Sequence, residues 1–272
     1  MIPKVIHYCW FGHGIIPASQ KKYIDSWSKV MPDYQIKCWN EDNFDVNICS
    51  FSETAYKLKK YSMVSDVARL FALYTEGGVY MDTDVKVLKP LDEFLNYDFF
   101  SAIEVYPTDF ENNKHLIGSD RLPIDKSKIF SGSLAILAAV LGSKKGNLLV
   151  KDTLDYFVNQ PFIFSDGSLN IKLINPAILA HEAIKYGFKY EDKKQYLDNN
   201  MLILSSTIFA SMESYICEET YLMHYAAQSW VQKNNKELFL LSLDKLNLLL
   251  LYKSYISIKK RVKKMLEIFL IK

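Results

Sequence analysis

The hydrophobic pattern of the N-terminal part of the chain predicts a strand, a helix and a second strand. Residues 2–10 are mostly apolar and are followed by Gly12, which is typical of a buried strand that ends in a loop. Residues 20–30 carry apolar side chains at helical spacing, and residues 35–39 are typical of a short strand. This order is the beginning of a βαβ unit and predicts an α/β fold.

A second helix and strand follow in the same order. The apolar positions of residues 64–74 recur with helical periodicity, and Gly77 ends this predicted helix. Residues 79–88 are rich in valine and aromatic side chains, which predicts one continuous strand that carries Asp82 and Asp84. Side chains two residues apart on a strand point to the same side, so we expect both carboxylates on one face.

The remainder of the chain is predicted to complete the domain and then become helical. Further strands are expected over residues 98–105, 129–137 and 221–226, and helices over 147–158 and 176–186. Residues 108–127 are polar without periodicity, which predicts a long surface loop that could act as a lid. We therefore expect a catalytic domain over residues 1–235 and a helical, basic segment over residues 236–272.

Composition and charge narrow the class of protein. The chain has 272 residues, of which 49% are hydrophobic, enough for one sizeable core. Its 33 basic and 31 acidic residues leave a formal charge of +2, so nucleic-acid binding is not expected. Four scattered cysteines form no CxxC pair, which argues against a disulfide scaffold or structural zinc. No signal peptide or spanning segment is evident, and these features predict a cytoplasmic protein.

The paired carboxylates are the strongest chemical signal. On a strand, Asp82 and Asp84 would lie about 6.5 to 7 Å apart, close enough to bind one divalent cation. Two acidic residues in an apolar strand are unfavourable unless they serve a function. The alternative interpretation is that both are solvent-exposed residues on an edge strand. A phosphatase of the haloacid-dehalogenase type also uses Asp-x-Asp, but Lys86 occupies the position where that chemistry expects Thr or Val.

Asp66 and Arg69 lie one turn apart on the predicted helix before these aspartates. At this spacing they can form an ion pair while facing a cleft, where the arginine can contact a phosphate or a sugar hydroxyl. A plain surface ion pair that stabilises the helix is the alternative.

Together these motifs resemble a known family. Ser65-Asp-Val-Ala-Arg69 followed by Gly77-Gly-Val-Tyr-Met-Asp-Thr-Asp84 resembles the DxD-containing sugar-binding region of glycosyltransferase family 32 and the related clostridial glucosylating toxins. The similarity extends to the first strand with Trp10, and to a closing motif of His224, Ser229 and Trp230. The departure is Asn175-Pro176, where the family often has Gly-Pro near the acceptor.

The resemblance implies a GT-A type fold, which is a Rossmann-like mixed sheet flanked by helices. It also implies roles for particular residues. The implied catalytic residues are Asp66, Arg69, Asp82 and Asp84, and the implied metal ligands are Asp82, Asp84 and His224. The implied donor-binding residues are Trp10, Asp66, Arg69, Gly78, Tyr80, Ser229 and Trp230. Trp10 would stack on the nucleotide base, while Ser229 and Trp230 would donate hydrogen bonds to the leaving diphosphate.

Several of these residues have simpler interpretations. Trp10 could be a core aromatic residue, and His224 in an apolar strand could be structural. His7 shares a strand face with apolar neighbours and is interpreted as a satisfied core histidine. Residues 130–133 could border the sugar site or form an ordinary strand with a bulge.

The resemblance implies a divalent cation, with Mn²⁺ expected ahead of Mg²⁺, and a nucleoside diphosphate sugar as donor, with a UDP-sugar favoured. The expected reaction is retaining transfer of a hexosyl unit to a glycan, carried by a polyprenyl diphosphate, in bacterial capsule or O-antigen synthesis. Protein side chains as acceptor and a non-catalytic sugar-nucleotide scaffold are the alternatives.

The basic segment supplies the expected location. Residues 236–272 mix lysine and arginine with leucine, isoleucine and tyrosine, a composition that suits the surface of an anionic membrane. We therefore expect a peripheral protein on the inner face of the cell membrane. Packing of this segment on the catalytic domain or on a second subunit is the alternative.

Overall fold

The computed structural model describes residues 1–171 and 174–225. Its strands are β1 Val5–Cys9, β2 Gln35–Trp39, β3 Gly78–Met81, β4 Val85–Val87, β5 Phe99–Glu104, β6 Ala135–Ile136, β7 Val140–Ser143, β8 Gln195–Leu197, β9 Met201–Leu204, β10 Phe209–Ala210 and β11 Leu222–His224. Its α-helices are α1 Ala18–Val30, α2 Ser50–Lys57, α3 Tyr61–Glu76, α4 Pro107–Asn113, α5 Leu148–Val158 and α6 Asn175–Ala183. The predicted boundary at residues 235 and 236 and the predicted basic helix lie outside the described residues.

Most of the strands form one mixed sheet with the order β2-β1-β3-β7-β5-β9-β8, in which β6 pairs with β5. β1 is parallel to both β2 and β3, whereas β7 is antiparallel to both β3 and β5. A smaller sheet has the order β10-β11-β4. The predicted α/β class, with a Rossmann-like mixed sheet flanked by helices, is confirmed.

The apolar core lies on both faces of the large sheet. One buried cluster contains the inward side chains of α2, α3, α5 and α6. The other contains Ile24 and Trp27 of α1 together with apolar residues of the small sheet. The Trp27 indole also donates a 2.9 Å hydrogen bond to the Val85 carbonyl, which fixes α1 against β4. Each face is therefore covered, as the near-continuous apolar composition of these strands requires.

Two glycines reverse the chain between α3 and β3. Gly77 and Gly78 both have positive φ, +72° and +114°. A Cβ on Gly78 would lie 2.6 Å from the Val5 carbonyl oxygen and 2.8 Å from His7 Nε2. Only glycine allows the chain to pass this close to β1 without displacing it. The predicted end of α3 at Gly77 therefore has a steric cause.

The predicted strand over residues 79–88 is wrong as a single element. It breaks at Asp82, whose backbone N–H bonds to the Ala139 carbonyl and whose carbonyl accepts from Val85 N–H at 3.1 Å. β3 belongs to the large sheet and β4 to the small one. The two aspartates therefore lie in a turn, a conformation that aspartate favours, and strand alternation does not place them.

Two further expectations are corrected, and the central strand β7 was missed. The predicted strand over residues 129–137 is reduced to β6, because Ser133 and Leu134 have φ values of +84° and +59°. The predicted loop over residues 108–127 contains most of α4, which has proline in its first turn. The short central strand β7 was not predicted. It is stabilised by close packing, since a Cβ on Gly142 would lie 1.9 Å from the Phe100 ring.

No helix among residues 1–171 and 174–225 is both long enough and apolar enough to cross a membrane.

Candidate functional site

The polar residues of the site meet at the edge where β1 and β3 end. The two strands are parallel, so Trp10, which follows β1, and Asp82, which follows β3, lie at the same edge. β11 pairs with β4 so that His224 is opposite Val85, directly after Asp84. The junction between the two sheets thereby collects side chains from distant parts of the sequence.

Asp82, Asp84 and His224 form a cluster with the geometry of a cation site. One ligand atom from each residue lies within 4.8 Å of the other two. His224 Nε2 is 3.4 Å from Asp84 Oδ1 and 3.9 Å from Asp82 Oδ2. Two carboxylates and one imidazole suit a hard or borderline divalent cation such as Mn²⁺.

The electrostatics of His224 fit the same interpretation. Burial alone would lower the pKa of His224, but a hydrogen bond to Asp84 and the charges of Asp84, Asp82 and Glu104 raise it. The other ring nitrogen, Nδ1, is buried and has no hydrogen-bond partner among the described residues. An excess of acidic groups around one imidazole is the arrangement that a divalent cation would neutralise.

A second polar cluster surrounds Arg69. Its guanidinium lies 3.0 Å from Asp66 Oδ1 and 3.5 Å from Asp82 Oδ1, and donates a 2.7 Å hydrogen bond to the Ala138 carbonyl. It also packs over the Tyr80 ring at 4.5 Å, and the Tyr80 hydroxyl donates to Asp82 Oδ1 at 2.7 Å. The expected pair of Asp66 and Arg69 therefore forms.

This pair is not a surface ion pair, because Asp66 and Arg69 are each only 7% exposed. Burial raises the pKa of Asp66 to about 6, although the charge of Arg69 opposes the shift. Burial also disfavours the charged guanidinium, but the neighbouring Asp82, Tyr80 and Asp66 groups outweigh it and raise the pKa of Arg69. Arg69 thus remains charged inside the protein.

Three residues in this region were missed or left without a role by the sequence analysis. Asn175, at the start of α6, directs its amide toward Asp66 at 3.4 to 3.5 Å, and its Oδ1 is buried without a partner among the described residues. Glu104 ends β5 and accepts a 3.0 Å hydrogen bond from Tyr106. Burial raises the pKa of Glu104, against the opposing effects of His224 and Tyr106. Asn175 was noted only as the departure from the family's Gly-Pro, and no local motif marked Glu104 or Tyr106.

The other residues with predicted roles lie in different places. Trp10 is half-buried at the edge, and its indole donates to the Gly14 carbonyl at 2.6 Å. Gly78 does not reach the cluster. It begins β3, and the extended chain from Gly78 to Asp82 is about 13 Å long. His7 is fully buried, with its ring nitrogens bonded to the Gly77 carbonyl and the Trp39 indole. Ser229 and Trp230 lie outside the described residues.

Part of the chain that carries this site matches a known family. Residues 17–100 match a family model described as a glycosyltransferase sugar-binding region containing a DXD motif. The chain is 32% identical over 106 residues to the uncharacterized glycosyltransferase L373 of Acanthamoeba polyphaga mimivirus, covering 37% of this chain and 42% of that protein. It is 30% identical over 123 residues to inositol phosphoceramide mannosyltransferase 1 of Schizosaccharomyces pombe, covering 41% and 37%. The chain thus spans less than half the length of these relatives.

Two solved structures are also similar. One is the PaToxG glycosyltransferase, with 20% identity and a TM-score of 0.49 over 68% of this chain and 69% of that one. The other is the galactosyltransferase LgtC in complex with donor and acceptor sugar analogues, with 15% identity and a TM-score of 0.47 over 82% and 87%. The Asp66, Arg69, Asp82 and Asp84 side chains all fall inside the family match, so the resemblance inferred from the motifs is confirmed: residues 17–100 are similar to the DXD-containing sugar-binding region of glycosyltransferases.

Proposed function

We propose that this protein is a metal-dependent glycosyltransferase of the GT-A type, which moves a hexosyl unit from a nucleoside diphosphate sugar to a glycan acceptor. The observation that carries the proposal is the convergence of Asp82, Asp84 and His224 within 4.8 Å, inside and beside a segment that matches a sugar-binding region. Carboxylates and an imidazole in this arrangement suit Mn²⁺ or Mg²⁺ bound to a diphosphate.

The reaction breaks the bond between the anomeric carbon and a diphosphate oxygen and forms a bond to an acceptor oxygen. The bound cation would supply the positive charge that stabilises the leaving diphosphate. Asp82, Asp84 and His224 would hold the cation. Tyr80 and Arg69 contact Oδ1 of Asp82 and so restrain this side chain. The acceptor's proton would pass to the leaving diphosphate, since no group in the cluster is assigned as a separate base.

The donor would lie along the edge formed by the ends of β1 and β3. Trp10 offers an indole face for the nucleotide base, and the buried Asp66 and Arg69 pair would hold ribose and sugar hydroxyls. We favour a UDP-sugar. A relative named as an inositol phosphoceramide mannosyltransferase makes GDP-mannose the first alternative donor.

We further propose a lipid-linked acceptor. The same relative is named for a lipid acceptor, which supports this class. The carrier would be a polyprenyl diphosphate, in capsule or O-antigen synthesis. The transfer would retain the configuration of the sugar. Residues 236–272 would attach the protein to the inner face of the membrane.

The proposal is tested by donor hydrolysis with Mn²⁺ and a panel of UDP-glucose, UDP-galactose, UDP-N-acetylglucosamine and GDP-mannose. We expect turnover of at least one donor, and a loss of roughly 100- to 1,000-fold in Asp84→Asn, because the cation would lose a charged ligand. Asp25→Asn, in an exposed ion pair of α1, is the matched control and should retain full activity. If none of the donors is turned over, or if Asp84→Asn has an unchanged rate, the enzyme proposal is contradicted.

A further inference from the structure

A further carboxylate lies at the same edge of the sheet, two strands away from the aspartates. β5 runs in the same direction as β3, because both are antiparallel to β7 between them. Phe100 and Val79 both pair with Gly142, so Glu104 lies about one residue further in the strand direction than Asp82. With neighbouring strands about 4.8 Å apart, the ends of β3 and β5 are separated by about 10 Å.

Glu104 is a largely buried acid that keeps one carboxylate oxygen open to a ligand. It is 7% exposed, and its Oε1 accepts the hydrogen bond from the Tyr106 hydroxyl. The charge of His224 also acts on Glu104, and Tyr106 is its one side-chain hydrogen-bond partner among residues 1–171 and 174–225. Oε2 is not among the fully buried side-chain atoms that lack a partner, so this oxygen is reachable from solvent and can accept a hydrogen bond from a ligand.

The backbone around Glu104 is strained. Ala135 pairs with Glu104 in the short ladder between β5 and β6. The two residues before Ala135, Ser133 and Leu134, are buried and both have left-handed φ values, +84° and +59°. Ser133 Oγ accepts from the Tyr106 backbone N–H at 2.8 Å. Consecutive left-handed residues with side chains are unfavourable and are concentrated where a surrounding structure serves a ligand.

The charge of the site determines which ligand fits. Glu104, Asp82 and Asp84 are all acidic, so a second phosphate next to Glu104 would be repelled. An uncharged group rich in hydroxyl donors would instead bond to the open oxygen of Glu104. In a nucleoside diphosphate sugar held at Asp82 and Asp84, the hexosyl unit has this chemistry. It is attached to the phosphate that is farther from the nucleoside.

We propose that Glu104 binds the transferred sugar: its carboxylate accepts a hydrogen bond from a hydroxyl of the hexosyl unit. Tyr106 acts as a positioning residue that holds the carboxylate in place. The inference rests on the proposed function and adds a sugar contact that lies outside residues 17–100.

The test compares a nucleoside diphosphate with its sugar derivative. Binding of UDP, UDP-glucose, GDP and GDP-mannose is measured by calorimetry with Mn²⁺ for the intact protein, Glu104→Ala, Glu104→Gln and the exposed control Glu111→Gln. We expect Glu104→Ala to weaken binding of the sugar nucleotide roughly 10- to 100-fold, the range for a hydrogen bond to a charged group. Binding of the matching diphosphate and the Glu111→Gln control should be unchanged.

Each alternative outcome has a distinct meaning. Equal weakening of UDP and UDP-glucose would place Glu104 in the cation site and overturn the inference. Unchanged binding of every sugar nucleotide in both Glu104 variants would overturn it as well, while leaving the proposed function intact. If no diphosphate binds the unaltered protein with Mn²⁺, the proposed function fails and the inference fails with it. Thermal melts of each variant show whether a loss arises from unfolding.

Discussion

Two polar clusters share Asp82 but are built differently. Around Arg69, positive and negative groups are close to balance, and the guanidinium has a carboxylate, a carbonyl and an aromatic ring as neighbours. Around His224, acidic groups are in excess and Nδ1 has no partner among the described residues. Asp82 joins the two, since Oδ1 faces Arg69 and Oδ2 faces His224.

The difference separates a cluster that supports the fold from one that is the candidate cation site. Buried charges with complete partners resist removal, because each loss leaves another charge unpaired. A cluster with excess charge of one sign gains stability when a cation binds. Substitutions on the two sides of Asp82 should therefore have different signatures.

The largest effect is expected from Arg69→Met. This change leaves the Asp66 carboxyl without its cation and the Ala138 carbonyl without its donor. We expect the free energy of unfolding to fall by about 3 to 5 kcal/mol in urea denaturation. Lys21→Met, which breaks the exposed pair with Asp25, should change it by less than about 1 kcal/mol. An equal effect of the two substitutions would show that the Arg69 cluster does not support the fold.

The next effect concerns the cation and its dependence on pH. Saturating Mn²⁺, at about 100 times its dissociation constant, should raise the free energy of unfolding by about 2.7 kcal/mol. This gain should decrease as the pH falls through the folded-state pKa of His224, which lies above its ordinary value of about 6.5, because a proton on the ring competes with the cation. Thermal melts at a series of pH values, with Mn²⁺ or with EDTA, measure it.

The metal-free protein should show the opposite sign. A histidine with a raised pKa in the folded state contributes stability below about pH 6.5, and this contribution is lost as the pH rises through the folded-state pKa. The curves with Mn²⁺ and with EDTA should therefore separate as the pH increases. A constant separation over this range would exclude His224 as a ligand.

The smallest effect is expected from Tyr80→Phe. It removes only the hydroxyl that bonds to Asp82 Oδ1, at a cost of about 1 kcal/mol, and should weaken Mn²⁺ binding by roughly 10-fold because Asp82 is less restrained. The matched control is Tyr190→Phe. Its hydroxyl is buried without a partner among the described residues, so its removal should not lower stability. Unchanged Mn²⁺ affinity in Tyr80→Phe would show that the two clusters act independently.

Local periodicity was sufficient to predict the elements that carry most of the site. The spacing of apolar residues indicated α3, and the interval between Asp66 and Arg69 indicated their pairing, because both depend on neighbours within one helix. The turn at Asp82 was not predicted, since valine-rich strands on both sides extend the same pattern.

The partners of these residues depend on contacts between distant segments. Glu104 occupies an apolar strand, where nothing in its neighbours distinguishes a buried acid from an exposed one. Asn175 reaches Asp66 across a separation that no local pattern records. His224 was identified by resemblance alone, and its position next to Asp84 follows from the pairing of β11 with β4.

That pairing also bears on the order of events during synthesis. β4 leaves the ribosome with the first part of the chain, whereas β11 lies at the end of the described residues and can pair only much later. Closing so long a segment is entropically unfavourable until other contacts support it. A nascent chain would therefore carry both aspartates well before His224 could join them, and the candidate cation site would be completed in one of the last steps of folding.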